Sequence, residues 1–404
     1  MHLFPALALL AAASSPSAAI YVPIREYSGN TFFDTWDFWG NIDNTTWGNV
    51  TYLNKTTAMT QRLAYVDDDN GHAIIRVDNT TNIPSAPVVN RPSVRITSQD
   101  AYGAGDLVII DVAHVPTGCS VWPSFWTLGV GKEWPHAGEI DIIEGINLQT
   151  SNQMAMHSDP GCMQAPQPGQ TGLTLNTDCG SADGRGCIVG ETKHNSFGAG
   201  FNKAGGGVFA TQLDVSGVYI WFWGRADIPE QITTATSTSN INVTAFGLPS
   251  AAYPVSGCNY TQFFGPQQLV ILTTLCGVWA GVPNTYAQTC PGTCISNVIG
   301  SGSPAYDEAY WDIAYIRTYF AQDQASLSSS SSSPSAAAAA MSATGNTSPT
   351  SASEASSASI ASTAPTTENS TGTQGNGALR VGKTLLLQGL LTIISVFSLL
   401  TGLF

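Results

Sequence analysis

The chain has 404 residues, with 14 Lys and Arg against 28 Asp and Glu and a net charge of −14. Nucleic-acid recognition needs a basic face, so a nucleic-acid partner is excluded on charge. Only 10% of the residues are charged, while 40 Gly and 22 Pro are spread along the chain, which argues for many short strands joined by turns and against a helical bundle.

In chain order, the first feature is an apolar run, LFPALALLAAA, at residues 3–13, followed by small residues at Ser17-Ala18-Ala19. That is the layout of a signal peptide. Residues 1–19 are therefore expected to be removed, leaving a mature chain that starts at Ile20; a buried N-terminal helix is the alternative. Eight Asn-X-Ser/Thr sequons agree with export: Asn44, Asn49, Asn54, Asn79, Asn242, Asn259, Asn346 and Asn369. The first six fall in the part expected to fold and are the candidate glycosylation sites there. An oxidising compartment favours disulfides among the eight cysteines. Eight cysteines allow about a hundred pairings, and the sequence does not choose among them. Cys290 and Cys294 in CPGTC could instead begin a zinc knuckle, but no second tight Cys or His pair completes one.

Residues 20–320 read as one catalytic-size domain. Short runs rich in Val, Ile, Tyr, Phe and Trp recur between turn signals, as strands require. They are HAIIRVD (72–78), SVRITSQ (93–99), DLVIIDVAHV (106–115), EIDIIEGI (139–146), QMAMHS (153–158), YIWFWG (219–224), QLVILTTL (268–275) and YWDIAYIRTYF (310–320). All ten Trp lie between Trp36 and Trp311. The expected fold is all-β: a jelly-roll β-sandwich of the concanavalin or lectin-like kind. Residues 321–376 are rich in Ser, Thr and Ala and lack aromatics, which suits a glycosylated, low-complexity stalk. The sequence closes on LLLQGLLTIISVFSLLTGLF, residues 385–404, preceded by a short spacer and by the small residues Asn376-Gly377-Ala378. This is the pattern of a GPI attachment signal, with a permanent tail-end helix as the alternative. Asn376 is the expected attachment residue, with Ser370 and Gly372 as alternatives, and residues 377–404 would be the discarded propeptide. The protein would then sit at the outer cell surface or in the cell wall, bound to the plasma membrane only through a lipid.

The densest chemical signal is Gly138-Glu139-Ile140-Asp141-Ile142-Ile143-Glu144-Gly145. In a strand, alternate residues share a face, so Glu139 and Asp141 point one way and Ile140 and Ile142 the other. Glu144 falls on the wrong face unless one extra residue, a β-bulge near Ile142-Ile143, brings it back. Three like charges on one face repel. An exposed polar edge or a calcium site would explain them without catalysis. The neighbouring aromatics Trp122, Trp126 and Trp134 favour another reading, because sugars stack on indole rings and paired carboxylates perform glycoside hydrolysis. One carboxylate attacks the anomeric carbon while the other, kept protonated by crowding, gives its proton to the leaving oxygen.

At these residues the sequence resembles glycoside hydrolase family 16, in particular fungal laminarinase-like endo-1,3(4)-β-glucanases. The block E-I-D-I-I-E matches the family pattern E-x-D-x-x-E. The likeness extends through FFDTWDFWGN (32–41), RPSVRI (91–96), VWPSFWTLG (121–129), MHSDPGC (156–162), IWFWGRADIP (220–229) and CGVWAG (276–281). The resemblance implies that Glu139 is the nucleophile, Glu144 the general acid/base and Asp141 the helper of the nucleophile. It places His157, Trp122, Trp126, Trp279 and Arg95 at substrate-binding positions. Trp221 and Trp223 share a strand face that is either the substrate face or the core. A β-glucan is the implied partner and a monomer the implied state, with no cofactor and no metal in the chemistry.

Two other functions compete with secreted, GPI-anchored hydrolysis of β-1,3 or mixed β-1,3/1,4 glucan by a retaining mechanism. A cell-wall transglycosylase of the same family fits the stalk and the anchor, although chitin-to-glucan crosslinking members usually have the shorter, unbulged spacing. A non-catalytic glucan-binding protein would typically have lost one of the glutamates, and both are present.

Overall fold

The structure, a computed structural model, describes residues 20–322 apart from Val88 and Gln167. The expected signal peptide, nearly all of the stalk, the attachment segment and the sequons Asn346 and Asn369 lie outside the described residues. Within them, each of the eight apolar runs named above carries a strand. All strands but Val50–Tyr52 and Arg91–Ser93, which pair with each other, build two sheets packed face to face, so the all-β jelly-roll expectation is borne out.

The first sheet has eight strands. Its order across the sheet is Leu173–Asn176, Cys187–Gly190, Gln153–His157, Glu139–Glu144, Val121–Gly129, Gln267–Leu275, Arg95–Tyr102 and Trp36–Phe38. The acidic strand therefore lies near the middle, hydrogen-bonded on both sides. The second sheet has nine strands, with Tyr310–Ala321, Asp106–His114, Gly207–Asp214 and Gly217–Gly224 adjacent in that order at its centre. Ile140, Ile142, Ile143, Met154 and Met156 of the first sheet and Ile110, Val112, Phe209 and Phe222 of the second belong to one buried cluster. Each such side chain contributes roughly 1.5–3 kcal/mol on burial, and together they fix which face of the acidic strand is left for chemistry.

The strand Val121–Gly129 was not among the runs picked out by periodicity. Pro123 stands inside it, and proline normally excludes a central strand because it has no N–H to give. The register explains why it is tolerated. Pro123 pairs with Thr273 on one side, while on the other side the ladder with the acidic strand ends at the Ser124–Glu144 pair.

Trp221 and Trp223 take the second of the two places open to them, a core, although not the one between the sheets. Ile220 and Phe222 face the space between the sheets, so the two indoles face outward, where they pack with Ile232 and Phe246 in a second buried cluster. They are structural and lie on the sheet that does not carry the acids.

All eight cysteines are paired: Cys119–Cys290, Cys162–Cys258, Cys179–Cys187 and Cys276–Cys294. The two cysteines of CPGTC thus go to different partners, which removes the zinc-knuckle alternative. Of the candidate glycosylation sites, Asn44, Asn54, Asn242 and Asn259 are exposed, while Asn49 and Asn79 are half-buried.

Candidate active site

The register of the acidic strand changes where its spacing requires. Against Gln153–His157, Asp141 pairs with Ala155 and the next pair is Glu144 with Gln153. Against Val121–Gly129, the pairs are Asp141–Trp126, Ile143–Phe125 and Glu144–Ser124. The extra residue is a β-bulge. It buries Ile142 and Ile143 together in the core and returns Glu144 to the face that carries Glu139 and Asp141.

Glycines bracket the acids for steric reasons. Gly138 has a φ of +80°, and a Cβ there would lie 2.2 Å from the ring of Phe264. A Cβ on Gly145 would lie 2.6 Å from the ring of Phe197. Neither position admits a side chain without displacing an aromatic ring from the core.

Each glutamate receives an indole N–H. Trp134 Nε1 donates to Glu139 Oε2 at 2.8 Å, and Trp122 Nε1 donates to Glu144 Oε1 at 2.9 Å. His157, paired in register with Glu139, sets its Nε2 3.2 Å from Asp141 Oδ2 and 3.7 Å from Glu139 Oε1. Asp141 is 2% exposed. Trp122, Ser124 and Trp126 alternate along their strand and therefore share the acidic face. Trp122 packs edge-on against Trp279 with ring centroids 5.4 Å apart. Arg95 is buried with its guanidinium carbon 4.7 Å from the Trp39 ring and 5.4 Å from the Trp126 ring, and it donates to Thr45 Oγ1 at 3.2 Å. All eight residues singled out for catalysis or substrate binding thus gather on or beside one sheet face.

The charges on this face are not independent. Burial, then the charge of Asp141, pushes Glu139 up to about 8, while His157, the Trp134 N–H and Arg95 pull it back. Burial and Asp141 also raise Glu144 well above the usual carboxylate range. Burial alone would lower His157, but contact with Asp141 and the charge of Glu139 outweigh it and push the imidazole up to about 9. The group titrates as a unit. Glu139 has the stronger cationic support, so a proton shared between the two glutamates belongs on Glu144. Glu139, Asp141 and His157 bring ligand atoms within 4.8 Å of one another, close enough to hold a cation; the protonated imidazole itself supplies a positive charge there.

Three features escaped sequence reasoning. Trp134 was noted only as a nearby aromatic, yet it binds Glu139 across the turn that contains Pro135 and Gly138. Trp39 flanks Arg95 from a distant segment. Asp43, 3% exposed, accepts from the N–H groups of Thr45, Thr46 and Gly48 and from Thr274 Oγ1 at 2.7–3.1 Å. It folds the loop that brings Thr45 to Arg95. An Asp followed by Asn-Thr-Thr and Gly is a turn signal, but nothing local says what the turn supports.

A family model described as the XgeA-like, catalytic GH16 domain matches residues 36–319. A probable glycosidase of Schizosaccharomyces pombe is 36% identical over 310 residues, covering 76% of this chain and 70% of that protein. The endo-1,3(4)-β-glucanase of Emericella nidulans is 34% identical over 313 residues, covering 75% of this chain and 48% of its own length. This chain thus spans about half the length of such curated glucanases. Among solved structures, laminarinase 16A of Phanerochaete chrysosporium, with β-glucans in donor and acceptor sites, matches with a TM-score of 0.70 at 34% identity, covering 74% of this chain and all of that one. An elongating β-1,3-glucosyltransferase of the same family matches with a TM-score of 0.67 at 37% identity, covering 74% of this chain and 99% of that one. With the bulged acidic strand, its two indole-bound glutamates and a match over the whole sandwich, the chain belongs to glycoside hydrolase family 16.

Proposed function

We propose that the protein is a retaining endo-β-glucanase that hydrolyses β-1,3 or mixed β-1,3/1,4 glucans, exported and held at the cell surface by a GPI anchor. The observation that carries the chemistry is the bulge, which sets Glu139 and Glu144 on one strand face with Asp141 between them and a separate indole N–H on each. Glu139 attacks the anomeric carbon as the glycosidic C–O bond breaks, and Glu144 gives its proton to the departing oxygen. A glycosyl ester forms on Glu139. Glu144, now ionised, takes a proton from water as that water attacks the same carbon, and Glu139 leaves as a carboxylate. His157 and Trp134 hold negative charge on Glu139 before the attack and as it leaves. Trp279, half-buried, presents ring surface for a glucosyl unit, Trp122 and Trp126, each 7% exposed, back the same face, and Arg95 lies between aromatic rings beside them. The signal peptide and anchor rest on residues 1–19 and 377–404 and on the sequons.

Transfer to a sugar hydroxyl in place of water is the second reading, favoured by the likeness to the elongating glucosyltransferase. Incubating the soluble domain with laminarin, lichenan, barley glucan and chitin oligomers, and sizing the products, separates the two. Hydrolysis shortens the glucans and leaves chitin oligomers intact. Products longer than the starting chains support transfer, and no change in any substrate contradicts both.

A further inference from the structure

We propose that Asn152 is the positioning residue that holds the bulge open and so aims Glu144; the inference rests on the reading of Glu144 as acid/base. A bulge leaves backbone groups without ladder partners. Between the Asp141–Ala155 and Glu144–Gln153 pairs, the acidic strand carries Ile142 and Ile143 while its neighbour carries only Met154. The groups on either side of the extra residue are the carbonyl of Ile142 and the N–H of Glu144. Asn152 takes both. Its Nδ2 donates to the Ile142 carbonyl at 2.9 Å, and its Oδ1 accepts from the Glu144 N–H at 3.0 Å.

The side-chain amide thus stands in for the residue that the neighbouring strand lacks. The fork of one donor and one acceptor is specific to an amide. A carboxylate offers no donor, and a hydroxyl on a shorter arm does not span both groups. Asn152 is itself fixed: it is 1% exposed, its N–H donates to Ser196 Oγ at 3.0 Å, and its carbonyl accepts from the Glu191 N–H at 2.9 Å. Beyond this backbone clamp, the Glu144 carboxyl is oriented by the Trp122 N–H. Glu139 and Asp141 precede the bulge and sit in a regular ladder with Leu128, Trp126, His157 and Ala155. Asn152 therefore acts on one catalytic group and spares the other two.

This selectivity makes the role testable. A laminaribiosyl glycoside with a dinitrophenol leaving group needs no proton donor in the first step, whereas laminarin does. Asn152→Ala should lower kcat/KM on laminarin by about 10²-fold, the effect of displacing a catalytic group by ~1 Å, and change kcat/KM on the dinitrophenyl substrate only a few-fold. Azide should restore turnover of the activated substrate, because it needs no base. Asn152→Ser adds no charge and keeps a small polar group that can serve one of the two backbone groups but not both, so it tests the proposal where Asn152→Ala does not fold, with the same split at a smaller loss. Glu144→Gln, measured in parallel, should show the largest split. Folded Asn152 variants that lose equally on both substrates, or on neither, overturn the proposal while Glu144→Gln still splits. If Glu144→Gln shows no split, the acid/base reading itself fails and the proposal falls with it.

Discussion

Glu139 and Glu144 have the same side chain, yet the proposed reaction needs one ionised and one protonated. Burial and Asp141 raise both. The difference comes from their neighbours, since His157 lies 3.7 Å from Glu139 and acts on it before it acts on Glu144. A cation beside a carboxylate favours the ionised form, so His157 lowers Glu139, and removing its charge must raise it. His157→Gln should therefore move the acidic limb of the kcat/KM profile to higher pH. On the proposed mechanism that limb reports protonation of Glu139 in the free enzyme. A limb that stays put or moves down would show that His157 does not govern Glu139. At this scale the sequence was most legible for the acids, because strand alternation with one bulge fixes which of them share a face. Trp134 and Asn152 were not legible. Each acts through a turn or a cross-strand contact that brings no periodic signal, and an isolated Trp or Asn is more often packing or a turn.

The strands that periodicity marked are all present because their apolar residues repeat with the pleat and close on a common core. Val121–Gly129 was visible only as an aromatic cluster, since Pro123 hides a central strand until the register shows that the neighbouring ladder has already ended there. The faces of Trp221 and Trp223 were likewise open: alternation says that two residues share a face and does not say which one. Asp106, which opens the strand Asp106–His114, shows what an element can carry at its end. It is 8% exposed and accepts the Gly103 N–H at 2.6 Å, and burial pushes its carboxyl up to about 6. The unfolded chain releases that proton near pH ~4. Between these values the folded state binds more protons than the unfolded one, so stability falls as pH rises. At neutral pH the ionised group costs on the order of 3 kcal/mol. Asp106→Asn keeps an acceptor for Gly103 and should raise the Tm at pH 7, with the gain disappearing below about pH 4. A lower Tm at pH 7 would mean that the charge is stabilising.

Over the whole molecule, the site is assembled by rows that cross the sheet. Arg95, Leu272, Ser124, Glu144 and Gln153 stand in one register line, drawn from five strands across more than 170 residues of sequence. No local pattern predicts such a row, and this is why the substrate-binding residues came from family likeness and not from spacing. The disulfides Cys119–Cys290 and Cys162–Cys258 close loops with sequence separations of 171 and 96, tying distant segments to the sandwich that carries the row. The proposed anchor has its own check: phosphatidylinositol-specific phospholipase C should release the protein from membranes, and a mature chain that retains residues 385–404 by mass spectrometry would contradict the anchor. The central claim is the double displacement through Glu139, and the anomer formed first tests it most directly. Proton NMR recorded at the start of laminarin cleavage should show the new reducing end as the β-anomer, with the α-anomer appearing only as mutarotation proceeds. An α-anomer at the earliest times would mean that water attacks the sugar directly, and Glu139 would not be the nucleophile.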